Sequence, residues 1–177
     1  MPRAPRSQAG FTLIEVMVTV ALIGVLAAIA VPTFAGESRK AKGDAEVNAF
    51  FAEFAVREEQ YAVENGAYLS TGASESATYP VAVTASTQPL GTMPATWQTL
   101  KIKPPESSVR CGYVAIAGTR ANTTAGAMAS GTFGYTPPAK NWFYLLAHCD
   151  LDGNSAVDGY YFVNSDDAKI QKSNPGR

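Results

Sequence analysis

Apolar positions along the chain change rhythm partway through the N-terminal third. From Phe11 to Ala35 they run almost unbroken for 25 residues with Glu15 as the single charge. At about 1.5 Å per residue a helix of that length crosses a hydrocarbon layer of about 30 Å. No strong helix breaker interrupts the pattern from Thr33 to about Glu64, and the apolar positions thin to one side. Val47, Phe54 and Tyr61 recur every seven residues with Phe50 between them, while Glu46, Glu53 and Gln60 form a polar row. Asn65 and Gly66 then supply residues that tolerate a left-handed backbone, which suits a helix end. The pattern predicts one helix from Phe11 to Glu64, about 80 Å long, apolar all round in its first half and amphipathic in its second. The second half can bury its stripe against its own domain. The first half is satisfied only by lipid or by other copies of itself.

Beyond the helix the rhythm is lost and then returns with a shorter period. Ala67–Thr99 holds 11 Ser and Thr in 33 residues, with Pro80, Pro89 and Pro94, and reads as a long connecting region. A second such region spans Gly118–Ala139. Its Asn122-Thr-Thr triplet formally matches an N-glycosylation acceptor, a short match that chance supplies often. Between and after these loops, Val109–Ile116, Trp142–His148 and Tyr160–Val163 are rich in β-branched and aromatic residues and predict antiparallel strands; Leu100–Ile102 is a candidate edge strand. The predicted class is α+β: a long N-terminal helix packed on a small antiparallel sheet.

Composition adds limits. The 177 residues carry 14 basic against 15 acidic side chains, with 46% hydrophobic and 16% charged residues. That balance fills a core, excludes intrinsic disorder and argues against a polyelectrolyte coat for nucleic acid. The first ten residues contain Arg3 and Arg6 and no acid, a basic leader ahead of the apolar run. Two arrangements follow: an uncleaved single-span anchor, or a leader cut before the apolar segment. Positive charge does not orient the span, because Arg3 and Arg6 on one flank face Arg39, Lys40 and Lys42 on the other. Glu15 is the informative residue, since a carboxylate carried to the bilayer centre costs about 2.5–3.5 kcal/mol. A mere anchor gains nothing from it.

Gly10-Phe-Thr-Leu-Ile-Glu15, followed by an apolar helix that runs through Gly24 to Pro32, resembles the N-terminus of a type IV pilin or pseudopilin with its class III leader. The resemblance covers roughly a third of the chain, weakening towards Tyr68. It implies that a prepilin peptidase cuts between Gly10 and Phe11 and methylates the new amine of Phe11. Loss of the leader would reduce the basic side chains to 12 against 15 acidic ones, a balance of −3. The implied organisation is a leader at 1–10, a transmembrane and assembly helix at 11–35, an amphipathic helix at 36–66, and an exposed loop region with a C-terminal sheet at 67–177. The resemblance further implies an inner-membrane subunit with its C-terminal domain outside the cytoplasm. An assembly platform would then build it, with identical or related subunits, into an extracellular filament. Glu15 would neutralise an N-terminal amine during assembly, and Gly24–Pro32 is the stretch that would lose helical order. A minor pilin, a type II secretion pseudopilin and a DNA-binding minor pilin are the alternatives within the class.

In an exported domain the two cysteines, Cys111 and Cys149, are expected to form a disulfide between the first two strands. Asp150, Asp152 and Asn154, with Asp158 beyond, resemble the start of a calcium loop, but Ser155 and Tyr161 stand where an EF-hand needs Gly and Glu; a turn explains them as well, and no metal or other cofactor is expected. His148, the single histidine, has no nucleophile motif or ligand cluster around it in sequence, so no enzyme is predicted. Lys101, Lys103, Arg110, Arg120, Lys140 and Lys169 form no basic run, which makes nucleic acid an unfavoured partner unless folding gathers them.

Overall fold

The computed structural model describes residues 10–81, 83–154 and 156–177. The leader, apart from Gly10, lies outside them. The chain divides into two units, Met1–Gly36 and Glu37–Arg177.

In the first unit the described chain is irregular from Gly10 to Thr12 and helical thereafter; this helix, α1, spans Leu13–Asn65 and so continues into the second unit. Neither Gly24 nor Pro32 ends it. Proline removes an amide donor and leaves the carbonyl one turn back without its partner. Thr33 follows directly, and its hydroxyl donates to the carbonyls of Ala30 at 2.9 Å and Ile29 at 3.3 Å.

In the second unit α1 ends at Asn65 because Gly66 takes φ of 76° while its N–H still donates to the Ala62 carbonyl at 2.8 Å. Three short pieces follow: β1 (Gln88–Pro89), α2 (Ala95–Thr99) and β2 (Ser108–Val109), with β1 and β2 paired antiparallel. The main sheet contains β3 (Cys111–Gly118), β4 (Trp142–Cys149), β5 (Gly159–Asn164) and β6 (Gln171–Ser173), antiparallel in the order β3-β4-β5-β6; α3 (Ala127–Gly131) lies in the β3–β4 loop. This is the expected α+β arrangement of a long N-terminal helix and a small antiparallel sheet.

Alternation across the sheet separates two cores. Cys111, Tyr113 and Ala115 of β3, Phe143, Leu145, Ala147 and Cys149 of β4, and Tyr161 and Val163 of β5 pack with Val47, Phe50, Phe51 and Phe54 of α1. Phe50 stacks on Tyr113 at 4.4 Å between ring centroids, and Phe54 meets Trp97 edge-on at 4.9 Å. The opposite face carries Val114, Trp142, Tyr144, Leu146 and Phe162, covered by Met128, Ala129, Phe133 and Tyr135 of the β3–β4 loop. Strand β4 is therefore covered on both sides, which is why it reads as an unbroken apolar run.

One expectation is corrected. Leu100–Ile102 forms no edge strand: α2 closes just before it, and Lys101 takes φ of 57°, turning the chain so that Ile102 N–H donates back to the Trp97 carbonyl at 3.0 Å. Within the polar row Glu46, Glu53, Gln60, Glu46 is buried at 4% exposure. Gly43 is equally specific to its place on α1, since a Cβ there would lie 2.5 Å from Cδ1 of Leu151, the buried residue just after β4.

Candidate functional site: the apolar helix and its acidic ties

Local chemistry starts α1 at the residues singled out in the sequence. Thr12, Leu13, Ile14 and Glu15 have the spacing of a capping box, and the Glu15 N–H donates to Thr12 Oγ1 at 3.3 Å. Thr12 thus has a role that the sequence reading passed over, although its Thr-x-x-Glu spacing could have revealed it. Gly10 and Phe11 precede the first helical turn, and both are exposed. The Gly10–Phe11 bond is therefore held in no helical hydrogen-bond ladder.

From Phe11 to Phe34, 14 large apolar side chains are exposed, among them Phe11 at 83%, Leu13 at 77% and Phe34 at 77%. Covering them gains about 1.5–3 kcal/mol apiece, of order 20–40 kcal/mol together. Such a surface does not remain in water. This helix is long and apolar enough to cross a membrane. Glu15 is exposed among these residues, so its carboxylate would enter any apolar environment that covers them.

The second half of α1 does different work through its acids. Glu46 accepts from the N–H groups of Arg110 at 2.9 Å and Cys111 at 3.0 Å and from the Tyr113 hydroxyl at 2.8 Å, with the Arg110 guanidinium 3.6 Å away. Burial, reinforced by this carboxylate, holds the Tyr113 phenol well above its usual range. Glu53 accepts from Lys103 N–H at 2.8 Å and pairs with Arg57. Glu58 is fully buried and accepts from Leu69 N–H at 2.9 Å. Three carboxylates on one helix thus bind backbone amides before, within and just after the β1–α2–β2 region, at Leu69, Lys103 and Arg110–Cys111, tying the helix to the sheet by polar contacts as well as apolar packing.

Cys111 and Cys149 are joined by a disulfide with a Cα–Cα distance of 4.3 Å. They are direct cross-strand partners in the β3–β4 register, so the bridge closes the open end of this hairpin, opposite its loop.

The Asp150–Asp158 segment uses its acids locally. Asp150 Oδ1 accepts from Gly153 N–H at 2.7 Å, Asp152 Oδ1 from Asn154 N–H at 3.0 Å and Asn154 Oδ1 from Ala156 N–H at 3.4 Å. Asp158 Oδ2 lies 2.7 Å from His148 Nε2. These are the side-chain bonds of Asx turns and an acid–imidazole pair. No cluster of three or more metal-ligating residues occurs among the described residues. Of the six scattered cations, Lys101 pairs with Glu64, Arg110 with Glu46 and Lys140 with Asp166.

Residues 5–31 match the prokaryotic N-terminal methylation motif. The chain is type IV pilin-like. It is 35% identical over 69 residues to the type IV wide pilus major component PilA4 of Thermus thermophilus, an alignment covering 39% of this chain and 52% of that protein. The chain therefore spans about half the length of the curated relative it matches, and that match leaves most of the pilin-like chain uncovered. No solved structure gives a significant match.

Proposed function

We propose that this chain is a non-enzymatic structural subunit of a type IV pilus filament. The observation that carries the reading is the run of exposed apolar side chains on the first half of α1, broken by one acid at Glu15. Before assembly the inner membrane covers this surface, with the sheet-bearing unit outside the cytoplasm. After assembly the same surface is covered by the equivalent helices of neighbouring subunits in a filament outside the cell. The named role of the relative, major component of a wide pilus, supports this assignment.

The exposed, non-helical Gly10–Phe11 junction suits cleavage by a prepilin peptidase, which would leave an N-methylated Phe11. That new amine carries a positive charge, and burying it unpaired in an apolar bundle is costly. Glu15 supplies the compensating carboxylate, on its own or a neighbouring subunit, so that the correct axial register pairs both charges and wrong registers leave both bare. Gly24 and Pro32 are the two residues of lowest intrinsic helix preference in the apolar half of α1, and the stretch between them is where the helix would extend as an assembly platform draws subunits out of the membrane.

Mass spectrometry of sheared surface filaments tests the assignment. A filament dominated by this chain, beginning at methylated Phe11, is the expected result. A trace of the chain would reassign it as a minor pilin, and its absence from filaments would favour a secretion pseudopilin. Membrane-derived protein that still begins at Met1 in cells with active peptidase would overturn the processing step.

A further inference from the structure

The sheet face turned away from α1 is not wholly covered. Over it lies a groove of about 850 Å³, walled on one side by residues 70–78 and on the other by residues 122–128. Its volume falls within the roughly 300–1,000 Å³ usual for small-molecule sites. The floor is apolar, from Ile116, Tyr144 and Leu146. At one end His148 and Tyr160, cross-strand partners on β4 and β5, stack with ring centroids 4.7 Å apart and planes 7° from parallel. Asp158 fixes the imidazole further through Nε2.

The walls are set before any ligand arrives. Glu75 Oε2 accepts from Met128 N–H at 2.8 Å, and its Oε1 accepts from Ala129 N–H at 2.8 Å and from the Tyr144 hydroxyl at 3.1 Å. One carboxylate thus links both walls to the floor, and a preformed groove avoids an ordering cost on binding.

The lining chemistry selects the ligand. No lysine or arginine occurs among the described residues that line the groove, and its histidine, His148, already pairs with Asp158, so no free cation there attracts phosphate, sulfate or carboxylate. An extended peptide added as a further strand would need a free strand edge. The outer edge of β3 is taken: Thr71 N–H donates to the Ala115 carbonyl, Ala115 and Ala117 N–H donate to the hydroxyls of Thr71 and Ser70, and Tyr79 pairs with Tyr113. What remains is a stacked aromatic end, an apolar floor and walls bearing the exposed hydroxyls of Ser74, Ser76 and Thr124. Alternating apolar ring faces and hydroxyl edges are the matching surface, and those belong to a sugar.

We propose that this groove binds a neutral oligosaccharide, seated against the Tyr160–His148 stack with its hydroxyls along the Ser/Thr walls. The proposal concerns the sheet-bearing unit alone and stands whether or not the chain forms filaments.

Isothermal titration of the full chain, in a detergent without a sugar headgroup, tests it with maltotriose, cellotriose and triacetylchitotriose as probes and trigalacturonate as the anionic control. Saturable binding of at least one neutral trisaccharide, with trigalacturonate at least about tenfold weaker, is expected. Tyr160→Ala should weaken that binding by about tenfold or more. Ser76→Trp, which fills the groove from an exposed wall position and leaves the aromatic stack in place, should abolish it at an unchanged melting temperature. Failure of all three neutral sugars to bind, equal binding of trigalacturonate, or undiminished binding by the folded Ser76→Trp variant would overturn the proposal.

Discussion

Glu58 makes the stability of the sheet-bearing unit depend on pH. Its side chain is fully buried on α1, with Oε2 accepting from Leu69 N–H and no donor reaching Oε1 among the described residues. Burial pushes its carboxyl from 4.5 up to about 7; the Leu69 bond opposes this and neighbouring Glu59 adds to it. The native state therefore holds the proton more tightly than the unfolded chain, and stability falls as pH rises through this window. The favourable contribution is complete below the unfolded value and gone above the folded one. At 1.36 kcal/mol for each pH unit of displacement, the loss between pH 4 and pH 8 is about 3 kcal/mol. For a unit of this size that corresponds to a fall of about 10 °C in melting temperature. Glu58→Gln keeps a carbonyl oxygen for Leu69 and removes the titration. Its buried amide adds a cost of about 1–3 kcal/mol, but that cost is the same at every pH. The informative quantity is therefore the pH slope, measured by thermal melts of the detergent-solubilised chain. Wild type should lose about 10 °C more than Glu58→Gln between pH 4 and pH 8, because all other titrating groups cancel in the comparison. Parallel profiles for the two proteins would refute the reasoning.

Other substitutions test the remaining ties. Glu46→Ala strips three donors of their buried acceptor and should destabilise the unit by about 3 kcal/mol or more in chemical denaturation, whereas an equal loss from Gln60→Ala would contradict the assignment. Replacing Cys111 and Cys149 by serine should cost up to about 4 kcal/mol, and nonreducing peptide maps of exported wild type should contain the Cys111–Cys149 cross-link rather than two alkylatable thiols. Gly43→Val forces side-chain atoms into Leu151 and should cost about 1–3 kcal/mol in the same denaturation assay; a neutral outcome would mean that the helix and the segment after β4 are not in close register.

The long helix and the α+β class were legible because burial imposes a period: apolar all round before Ala35, one-sided afterwards, and continuous on a strand covered on both faces. Periodicity could not reveal the purpose of Glu46. A polar residue at every seventh position carries no sign of burial, and only the approach of the Arg110 and Cys111 backbone and the Tyr113 hydroxyl makes Glu46 a buried acceptor. Leu100–Ile102 misled for the converse reason, since its apolar residues are buried at the end of a five-residue helix and a left-handed turn at Lys101. Strand β6 has no apolar signal at all; Gln171–Ser173 is a strand through its pairing with β5. The disulfide partners could be named because the chain has two cysteines, but their exact opposition in the β3–β4 register came only with the fold. The Tyr160–His148 end of the groove was hidden for the same reason, as those residues are neighbours across a turn rather than along the chain.

Assembly through the first half of α1 is the central claim, and Glu15 is its most exposed point. The decisive measurement compares mature protein in the membrane with the yield of sheared filaments when Glu15→Ala is the sole subunit. The account predicts membrane insertion and leader cleavage near wild-type levels with a sharp loss of filaments, because the new Phe11 amine then enters the bundle unpaired. Wild-type filament yield from this variant would contradict it.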